Sequence, residues 1–249
     1  MNGKTIVTLM TALGLLLGAP AWAQTGAKPK APTAEEQQIA TRDQQRFGTA
    51  PDSVARTPFG WWEVAIGTEV FYVDGEVNYV LVGQAFDART RENLTQKKRD
   101  ELMKIDWKSL PLNNAIKIVR GNGSRVFASF EDPNCGFCKR LQTELKDLKD
   151  ATMYVFLYPI LSQDSFEKSK AIWCAKNRAA AWDDWMLSAK APPAAPADCK
   201  HPLQQTLELG QKAGVNGTPT IFFPDGSRLP GAVPLAQIEA RLAAQSGKK

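Results

Sequence analysis

Two cysteines separated by two residues are the strongest chemical signal in this chain of 249 residues. The run Cys135-Gly136-Phe137-Cys138 follows a predicted strand and opens a predicted helix. A cysteine at a helix N-terminus meets unpaired N–H groups and the positive end of the helix dipole, and both favour the thiolate. We therefore predict that Cys135 is a nucleophile with a lowered pKa and that Cys138 is a buried resolving thiol.

A zinc site or a plain local disulfide would be the alternative for these two cysteines. Structural zinc needs a second pair of ligands at similar spacing, whereas the remaining cysteines, Cys174 and Cys199, lie far apart in the chain. Redox chemistry is therefore favoured, and we expect no metal.

Cys174 and Cys199 flank a predicted helical segment and a loop rich in proline and alanine. Four cysteines allow three pairings, and the pairing of 135 with 138 and of 174 with 199 is favoured because the first two are close in sequence. A disulfide that closes the loop between Cys174 and Cys199 would stabilise the fold by roughly 3.5 kcal/mol in the chain-entropy model. We predict a structural disulfide between Cys174 and Cys199, with a second redox centre as the alternative.

Composition and charge exclude several other kinds of protein. The formal net charge is only +5, with 31 Lys+Arg against 26 Asp+Glu, so the attraction to phosphates is weak and no nucleic-acid partner is expected. A hydrophobic share of 43% is ordinary for a globular protein. The single histidine, His201, is interpreted as a surface or helix-start residue, which argues against catalysis that depends on imidazole.

The first 23 residues have the three parts of a cleavable export signal. Lys4 precedes an apolar run at 6–17, and small residues end with Ala23, after which we expect cleavage. The apolar run is too short to span a bilayer comfortably, so no stable membrane insertion is expected. Residues 24–33 have the composition of a flexible leader. The mature protein is predicted to be periplasmic, with secretion beyond the periplasm as the alternative, and in both places cysteines meet an oxidising environment.

The region 34–88 is predicted to be a small α+β domain. A helix at 35–47 ends at Gly48, which can adopt the left-handed cap conformation. Three short runs are rich in β-branched and aromatic residues, and Asp74-Gly75 between the second and third is a hairpin signal. These runs are 61–66, 69–73 and 78–84. Such a unit is too small for a generous core and needs a partner surface.

The region 89–112 is predicted to be a helical linker, and 113–249 a catalytic domain. The linker helix, at 91–105, is polar nearly all round, which is typical of a solvated connector. Beyond it the pattern alternates between strand and helix. The predicted strands are 117–119, 125–130, 152–158, 220–223 and 227–229, and the predicted helices are 135–148, 165–186, 203–213 and 235–243.

The loop Gly217-Thr218-Pro219 comes just before a predicted strand. Together with the upstream cysteine pair it resembles the thioredoxin fold, in which this proline is cis and packs against the active-site cysteines. Because Pro219 has no N–H, Thr218 is left to offer backbone groups to an extended substrate chain. We predict that Thr218, Pro219, Gly136 and Phe137 bind substrate; a simple turn proline is the alternative.

The sequence resembles the DsbC/DsbG family of periplasmic disulfide isomerases over nearly all of the mature chain. The segments that carry the resemblance are 60–64, 71–75 and 93–95 in the front half, and 135–138, 171–175 and 217–219 in the rear half. The CGFC centre is nearer to the CGYC of DsbC than to the CPYC of DsbG, which favours the isomerase branch.

The resemblance implies an α/β fold class: a thioredoxin-like catalytic domain with a helical insertion, preceded by a small α+β cystatin-like dimerisation domain and a helical linker. It implies a V-shaped homodimer that rearranges incorrect disulfides in exported proteins through a mixed disulfide, with chaperone activity from an apolar cleft and no cofactor. Its partners would be misfolded disulfide-containing clients and a DsbD-like membrane reductase that keeps it reduced.

Three other functions remain open at this point. A DsbG-like reductase of sulfenic acids would use the same fold and the same attacking thiol. A DsbA-like oxidase is disfavoured because that monomeric family lacks the front domain and usually has histidine inside its CxxC motif. A redox-inert dimeric chaperone or binding protein would use its disulfides only structurally.

The sequence departs from the thioredoxin pattern at one position near the cysteines. Many thioredoxins have a buried aspartate six residues before the first cysteine, where it accepts the proton of the resolving thiol; this chain has Ser129 there. Glu131 and Asp132 are nearer to the motif but are expected to face outward, so no general base is assigned to Cys138. Lys139 and Arg140 are interpreted as solvated residues that could assist the thiolate.

Overall fold

The structure is a computed structural model that describes residues 31–246. The predicted signal peptide (1–23) and residues 24–30 of the predicted leader lie outside the described residues.

Within residues 31–246, none of the helices combines the length and the apolar character needed to cross a membrane.

The front unit is one helix on a four-stranded antiparallel sheet with strand order β1-β2-β3-β4. Helix α1 begins after Thr33, whose side chain forms a reciprocal capping box with Glu36, and ends at Gly48 with φ +81°. The elements are α1 (Ala34–Phe47), β1 (Ser53–Arg56), β2 (Trp62–Ile66), β3 (Glu69–Val73) and β4 (Val80–Leu81). The helix and the second and third strands agree with the sequence-based prediction.

The front sheet differs from the prediction at both of its edges. Strand β1 is absent from the sequence-based prediction, and it pairs with β2 along its whole length. The third predicted run shortens to two residues, because the carboxylate of Asp74 accepts hydrogen bonds from the N–H groups of Asn78 and Tyr79. The hairpin is therefore present, but Gly75 lies in a longer loop than a two-residue turn.

The helix of the predicted linker packs on the front sheet and is not a solvated connector. A short ribbon, β5 (Phe86–Asp87) and β6 (Glu92–Asn93), leads into α2 (Leu94–Leu102). Thr95 is fully buried, and its hydroxyl lies 2.5 Å from the hydroxyl of Tyr72. The hydrophobic pattern of the sequence does not predict this contact, because two hydroxyl groups form it.

After α2 the chain attaches to the rear unit. The N–H of Ile105 donates to the carbonyl of Gly226 at 3.2 Å, and Trp107, Leu110 and Leu112 pack into the rear core. Gly226 has φ +81°, and a Cβ there would clash with the Ile105 carbonyl oxygen, so glycine is required on two grounds. Only Met103 and Lys104 separate the end of α2 from this attachment.

The rear unit contains a five-stranded sheet with order β11-β10-β8-β9-β7. Strands β8 and β9 run parallel and the other pairs are antiparallel. The strands are β7 (Ile116–Arg120), β8 (Arg125–Glu131), β9 (Ala151–Leu157), β10 (Thr220–Phe222) and β11 (Arg228–Pro230). The helices are α3 (Gly136–Glu144), α4 (Gln163–Cys174), α5 (Arg178–Ser188), α6 (Leu203–Lys212) and α7 (Leu235–Ser246).

Most of these elements match the predicted ones, and the main difference is in the insertion. The single helix predicted at 165–186 is two helices, because the Asn177 side chain accepts from the N–H of Ala180 and starts a new helix. The helix predicted at 135–148 ends at Glu144 and continues as a 3-10 turn.

Strand β8 is the central strand, and both of its faces are buried. Phe127 packs in the same hydrophobic cluster as Cys138 and Leu141 of α3, whereas Ala128 and Phe130 pack in the cluster on the opposite side of the sheet. Because side chains alternate along a strand, Ser129 and Glu131 lie on the same face as Phe127. That face carries helix α3, which contains Cys138 and directly follows Cys135.

Candidate active site

Cys135 is the N-cap of α3, so its side chain meets the unpaired N–H groups of the first helical turn. Its Sγ accepts a hydrogen bond from the N–H of Cys138 at 3.3 Å. Its thiol is also 3.3 Å from the carbonyl oxygen of Thr218, to which it can donate. Both Cys135 and Cys138 are thiols in the structure and both are buried.

The two thiols have opposite electrostatic environments. The pKa of Cys135 is lowered to about 5, and the hydrogen bond from the Cys138 thiol makes the largest contribution. The Thr218 side chain and the N–H groups at the helix start lower it further, whereas burial opposes the shift. Burial raises the pKa of Cys138 far above its usual range, and charge on Cys135 and Glu131 raises it further. Near neutral pH, Cys135 is a thiolate and Cys138 holds its proton.

The titration of Cys135 should be measurable in the reduced protein. We expect the ultraviolet absorbance of its thiolate, and its alkylation by iodoacetamide, to decrease as the pH falls through a midpoint near 5. Cys138→Ala should raise the midpoint, because it removes the main hydrogen bond to the thiolate. Cys135→Ala is the control and should lack the transition. A midpoint close to the ordinary cysteine value of about 8.5 would contradict this assignment.

The predicted substrate-binding residues lie around this thiol. The Thr218–Pro219 peptide bond is cis, and Pro219 is buried directly before β10. Gly136 and Phe137 are exposed, and 61% of the surface of Phe137 is open to solvent. The Thr218 carbonyl, the Cys135 thiol and the exposed Phe137 ring belong to one surface region at the start of α3. An extended chain that adds to the Thr218 backbone would lie beside Sγ.

The prediction that Glu131 and Asp132 face outward is wrong, since both are fully buried. Asp132 holds the loop before Cys135: its carboxylate accepts from the N–H groups of Asn134 at 2.8 Å and Leu161 at 3.0 Å. Glu131 accepts from the hydroxyl of Ser129 at 2.6 Å. Acidic residues near a motif are usually at the surface, but β8 is covered on both faces and encloses these two.

Glu131 is thus a candidate functional residue that the sequence analysis missed. Burial raises its pKa to about 7, while its hydrogen bonds to Ser129 and Gln142 oppose this shift. Strand alternation from Phe127 was the signal that could have found it, because Glu131 falls on the face that carries α3.

The cationic residues after the motif lie over aromatic rings. The ammonium of Lys139 is 4.5 Å from the centre of the Trp185 ring, and the guanidinium of Arg140 is 5.4 Å from that of Phe137. Trp185 also donates its indole N–H to the carbonyl of Pro133 at 2.6 Å. Trp185 therefore connects the inserted helix α5 to the loop before Cys135.

Cys174 and Cys199 are joined by a disulfide in the structure. The bond ties the end of α4 to the loop before α6 and packs against the core that contains Trp182. The nearby ring of His201 packs edge-on against Phe166 at a centroid distance of 5.6 Å. This contact places His201 against the insertion and the start of α6.

Two family profiles match most of this chain. The profile described as the disulfide bond isomerase protein N-terminal domain matches residues 29–96, and that described as a thioredoxin-like domain matches residues 112–246. Together they cover the front unit up to the first three residues of α2, and the rear unit from Leu112 onward. They support the predicted fold class of a small α+β domain followed by a thioredoxin-like domain.

Individual relatives give the same result. A probable thiol:disulfide interchange protein DsbC of Bordetella pertussis is 46% identical over 214 residues, which cover 86% of this chain and 76% of that protein. Thiol:disulfide interchange protein DsbC of Escherichia coli is 27% identical over 181 residues, covering 70% of this chain and 73% of that protein. A crystal structure of a disulfide interchange protein from Neisseria gonorrhoeae superimposes with a TM-score of 0.52 at 42% identity, over 54% of this chain and 97% of that one. The predicted fold class and the predicted family resemblance are both confirmed.

Proposed function

Because this chain belongs to the DsbC family of thiol:disulfide interchange proteins, we propose that it rearranges and reduces incorrect disulfides in exported proteins. The observation that carries the proposal is the Cys135 thiol. It lies at the N-terminus of α3, has a pKa lowered to about 5, and is 3.3 Å from the carbonyl of Thr218 beside the cis proline. A redox-inert binding protein would have no use for such a thiolate.

The reaction begins when the Cys135 thiolate attacks one sulfur of a client disulfide. A bond forms between Cys135 and that sulfur, the client S–S bond breaks, and the second client sulfur leaves as a thiolate. In isomerisation, the released client thiolate attacks another client disulfide, and a client thiolate finally displaces Cys135. No net oxidation or reduction occurs by this route.

Reduction uses the second thiol. Cys138 attacks the Cys135 sulfur of the mixed disulfide, the Cys135–Cys138 disulfide forms, and the client leaves with both sulfurs reduced. Because the protein is oxidised in this step, it needs an external dithiol to return to its active state. We propose that a DsbD-like membrane reductase supplies this dithiol and returns the protein to its reduced state.

Client binding uses the backbone at Thr218 and the apolar surface nearby. Phe137 and Leu161 are both more than half exposed, and Leu161 is tied through Asp132 to the loop that precedes Cys135. Exposed apolar side chains beside a reactive thiol suit a partly unfolded client, which also exposes apolar residues. Specificity for one client is not needed, because the hydrogen bonds would form with the client's main chain.

The front unit is proposed to form a homodimer through its sheet edge. Strand β4 has no strand paired on its outer side within residues 31–246. Tyr79 and Val82 beside it expose 71% and 82% of their surfaces. An unpaired, apolar edge is the feature that a second copy would cover. In this proposal residues 34–88 are the dimerisation domain, 89–112 the linker and 113–249 the catalytic domain. The two thiol sites of a dimer would serve one client.

The test is reactivation of scrambled ribonuclease by catalytic amounts of the reduced protein in a glutathione buffer. We expect reactivation well above the buffer rate, because a nucleophilic Cys135 can enter wrong disulfides repeatedly. The matched control is the same protein after alkylation of its thiols, which retains any chaperone activity. Equal reactivation by the alkylated protein would contradict the proposal and favour a redox-inert chaperone. Activity only on sulfenylated cysteines would instead favour the DsbG-like reductase.

A further inference from the structure

Glu131 is a buried carboxyl group with an incomplete set of hydrogen bonds. Its Oε1 accepts from the hydroxyl of Ser129 at 2.6 Å and from the amide of Gln142 at 2.8 Å. Its Oε2 is buried and has no hydrogen-bond partner among the described residues. A buried carboxylate oxygen without a partner is costly for stability, so what distinguishes Glu131 is the place of its carboxyl relative to the thiols.

The surroundings of Glu131 connect it to the active-site thiols. Gln142, which holds the carboxyl, is four residues after Cys138 in α3 and therefore lies on the same helix face. Cys138 packs in the cluster on the α3 side of the sheet, the side toward which Glu131 points. The titratable groups that interact with Glu131 are the thiols of Cys135 and Cys138; the other neighbours of its carboxyl are Ser129, Gln142 and, through Gln142, Met153.

We propose that Glu131 accepts the proton of Cys138 when this thiol resolves the mixed disulfide, and that Ser129 and Gln142 are positioning residues for its carboxylate. The inference rests on the proposed function. It assigns the task to a position two residues closer to the motif than the usual acid of thioredoxins, where this chain has Ser129. Ser129 instead donates a hydrogen bond to the Glu131 carboxylate.

The proton balance of the resolving step requires such an acceptor. Cys138 begins as a thiol, and attack on the Cys135 sulfur needs its thiolate. The proton passes to the Glu131 carboxylate, the Cys138–Cys135 bond forms, the bond from Cys135 to the client breaks, and the client sulfur leaves as a thiolate. Glu131 then gives the proton to the departing client thiolate, which becomes a thiol. Burial of Cys138 denies it direct exchange with bulk water, so an internal acceptor has a large effect.

Glu131 could instead act only through its negative charge, and mutation would then change the rate of resolution in the opposite direction from the loss of a proton acceptor. A negative charge near Cys138 disfavours its thiolate, so neutralising Glu131 would ease deprotonation and speed resolution. Loss of a proton acceptor would slow resolution. The direction of the change in rate therefore separates the two roles.

The test follows the reaction of the reduced protein with an aromatic disulfide that releases a coloured thiol twice. The first release reports attack by Cys135, and the second reports resolution by Cys138. For Glu131→Gln we expect an unchanged first phase and a second phase slower by roughly 100-fold, a typical effect of losing a general base. In the wild type the second rate should rise with pH through an inflection near 7, and the variant should lack this inflection.

The matched control is Asp43→Asn in the front helix. Asp43 is likewise fully buried and has no hydrogen-bond partner for its carboxylate among the described residues, but it lies in the other unit. Both phases should be unchanged in this variant. If Glu131→Gln fails to fold, Ser129→Ala provides the second test: it keeps the carboxylate but removes a donor that favours its charged form, so the inflection should move to higher pH.

The outcomes distinguish failure of the inference from failure of the proposed function. An equal or faster second phase in Glu131→Gln would overturn the role of Glu131 as proton acceptor while leaving Cys135 as the nucleophile. Absence of the first phase in the wild-type protein would overturn the function itself.

Discussion

Replacement of Cys135 by alanine is expected to reduce thiol:disulfide exchange to the buffer background. Cys135 is the thiol with a pKa lowered to about 5, whereas burial raises the pKa of Cys138 and keeps it protonated. The thiolate is the reacting species, so Cys138 alone is a poor nucleophile. Insulin reduction and scrambled ribonuclease reactivation should both be lost, although the variant stays folded by circular dichroism.

Cys138→Ala is the informative comparison for this result. It leaves the attacking thiol in place, so the mixed disulfide with a client still forms but no internal thiol resolves it. We expect covalent complexes to accumulate on non-reducing gels and insulin reduction to fall, while some isomerisation persists through client thiols. Full activity in Cys135→Ala, or covalent complexes trapped in that variant, would show that another residue is the nucleophile.

Removal of the Cys174–Cys199 disulfide is expected to lower the free energy of unfolding by roughly 3.5 kcal/mol in the chain-entropy model. The bond closes a loop with a sequence separation of 25, so its loss frees many conformations of the unfolded chain. That change corresponds to a shift of several hundred-fold in the unfolding equilibrium. Urea unfolding of the Cys174→Ala/Cys199→Ala double variant, followed by tryptophan fluorescence, measures it.

The matched control for this prediction is the double variant Cys135→Ala/Cys138→Ala. These cysteines are thiols in the structure, so the variant removes two buried sulfurs without opening a disulfide-closed loop. It should lose much less stability and all of its exchange activity, whereas the Cys174→Ala/Cys199→Ala variant should retain Cys135-dependent exchange while it is folded. Equal stability of the wild type and the latter variant would contradict a structural role for the bond.

Local signals predicted the elements well where they agreed with the tertiary environment. Gly48 ends the first helix as expected, and the strands at 62–66 and 69–73 fall within one residue of their predicted bounds. The thiol pair was predicted from spacing and position alone, because a helix start acts on Cys135 through its own backbone. None of these features needs a distant part of the chain.

The prediction failed where contacts from distant segments decide the outcome. Helix α2 was expected to be solvated because its sequence is polar, but Thr95 is buried against Tyr72 of the front sheet. Glu131 was expected to be exposed because it is charged, but the central position of β8 encloses it. Side-chain polarity gives the average preference of a residue for water, whereas burial depends on which elements cover its strand.

By itself the sequence determined the fold class and the family, through motifs that resemble a known family, and it predicted Cys135 as the nucleophile from its place at a helix start. Only the tertiary structure decided the surroundings of those motifs: the approach of Thr218 to Cys135, the contact of Trp185 with the loop at Pro133, and the carboxyl of Glu131 beside the buried thiol. These arrangements bring together residues that are distant in the chain or enclose residues that look exposed in sequence. The chemistry of Cys135 can thus be predicted from its neighbours in sequence, while the path of the Cys138 proton depends on its neighbours in space.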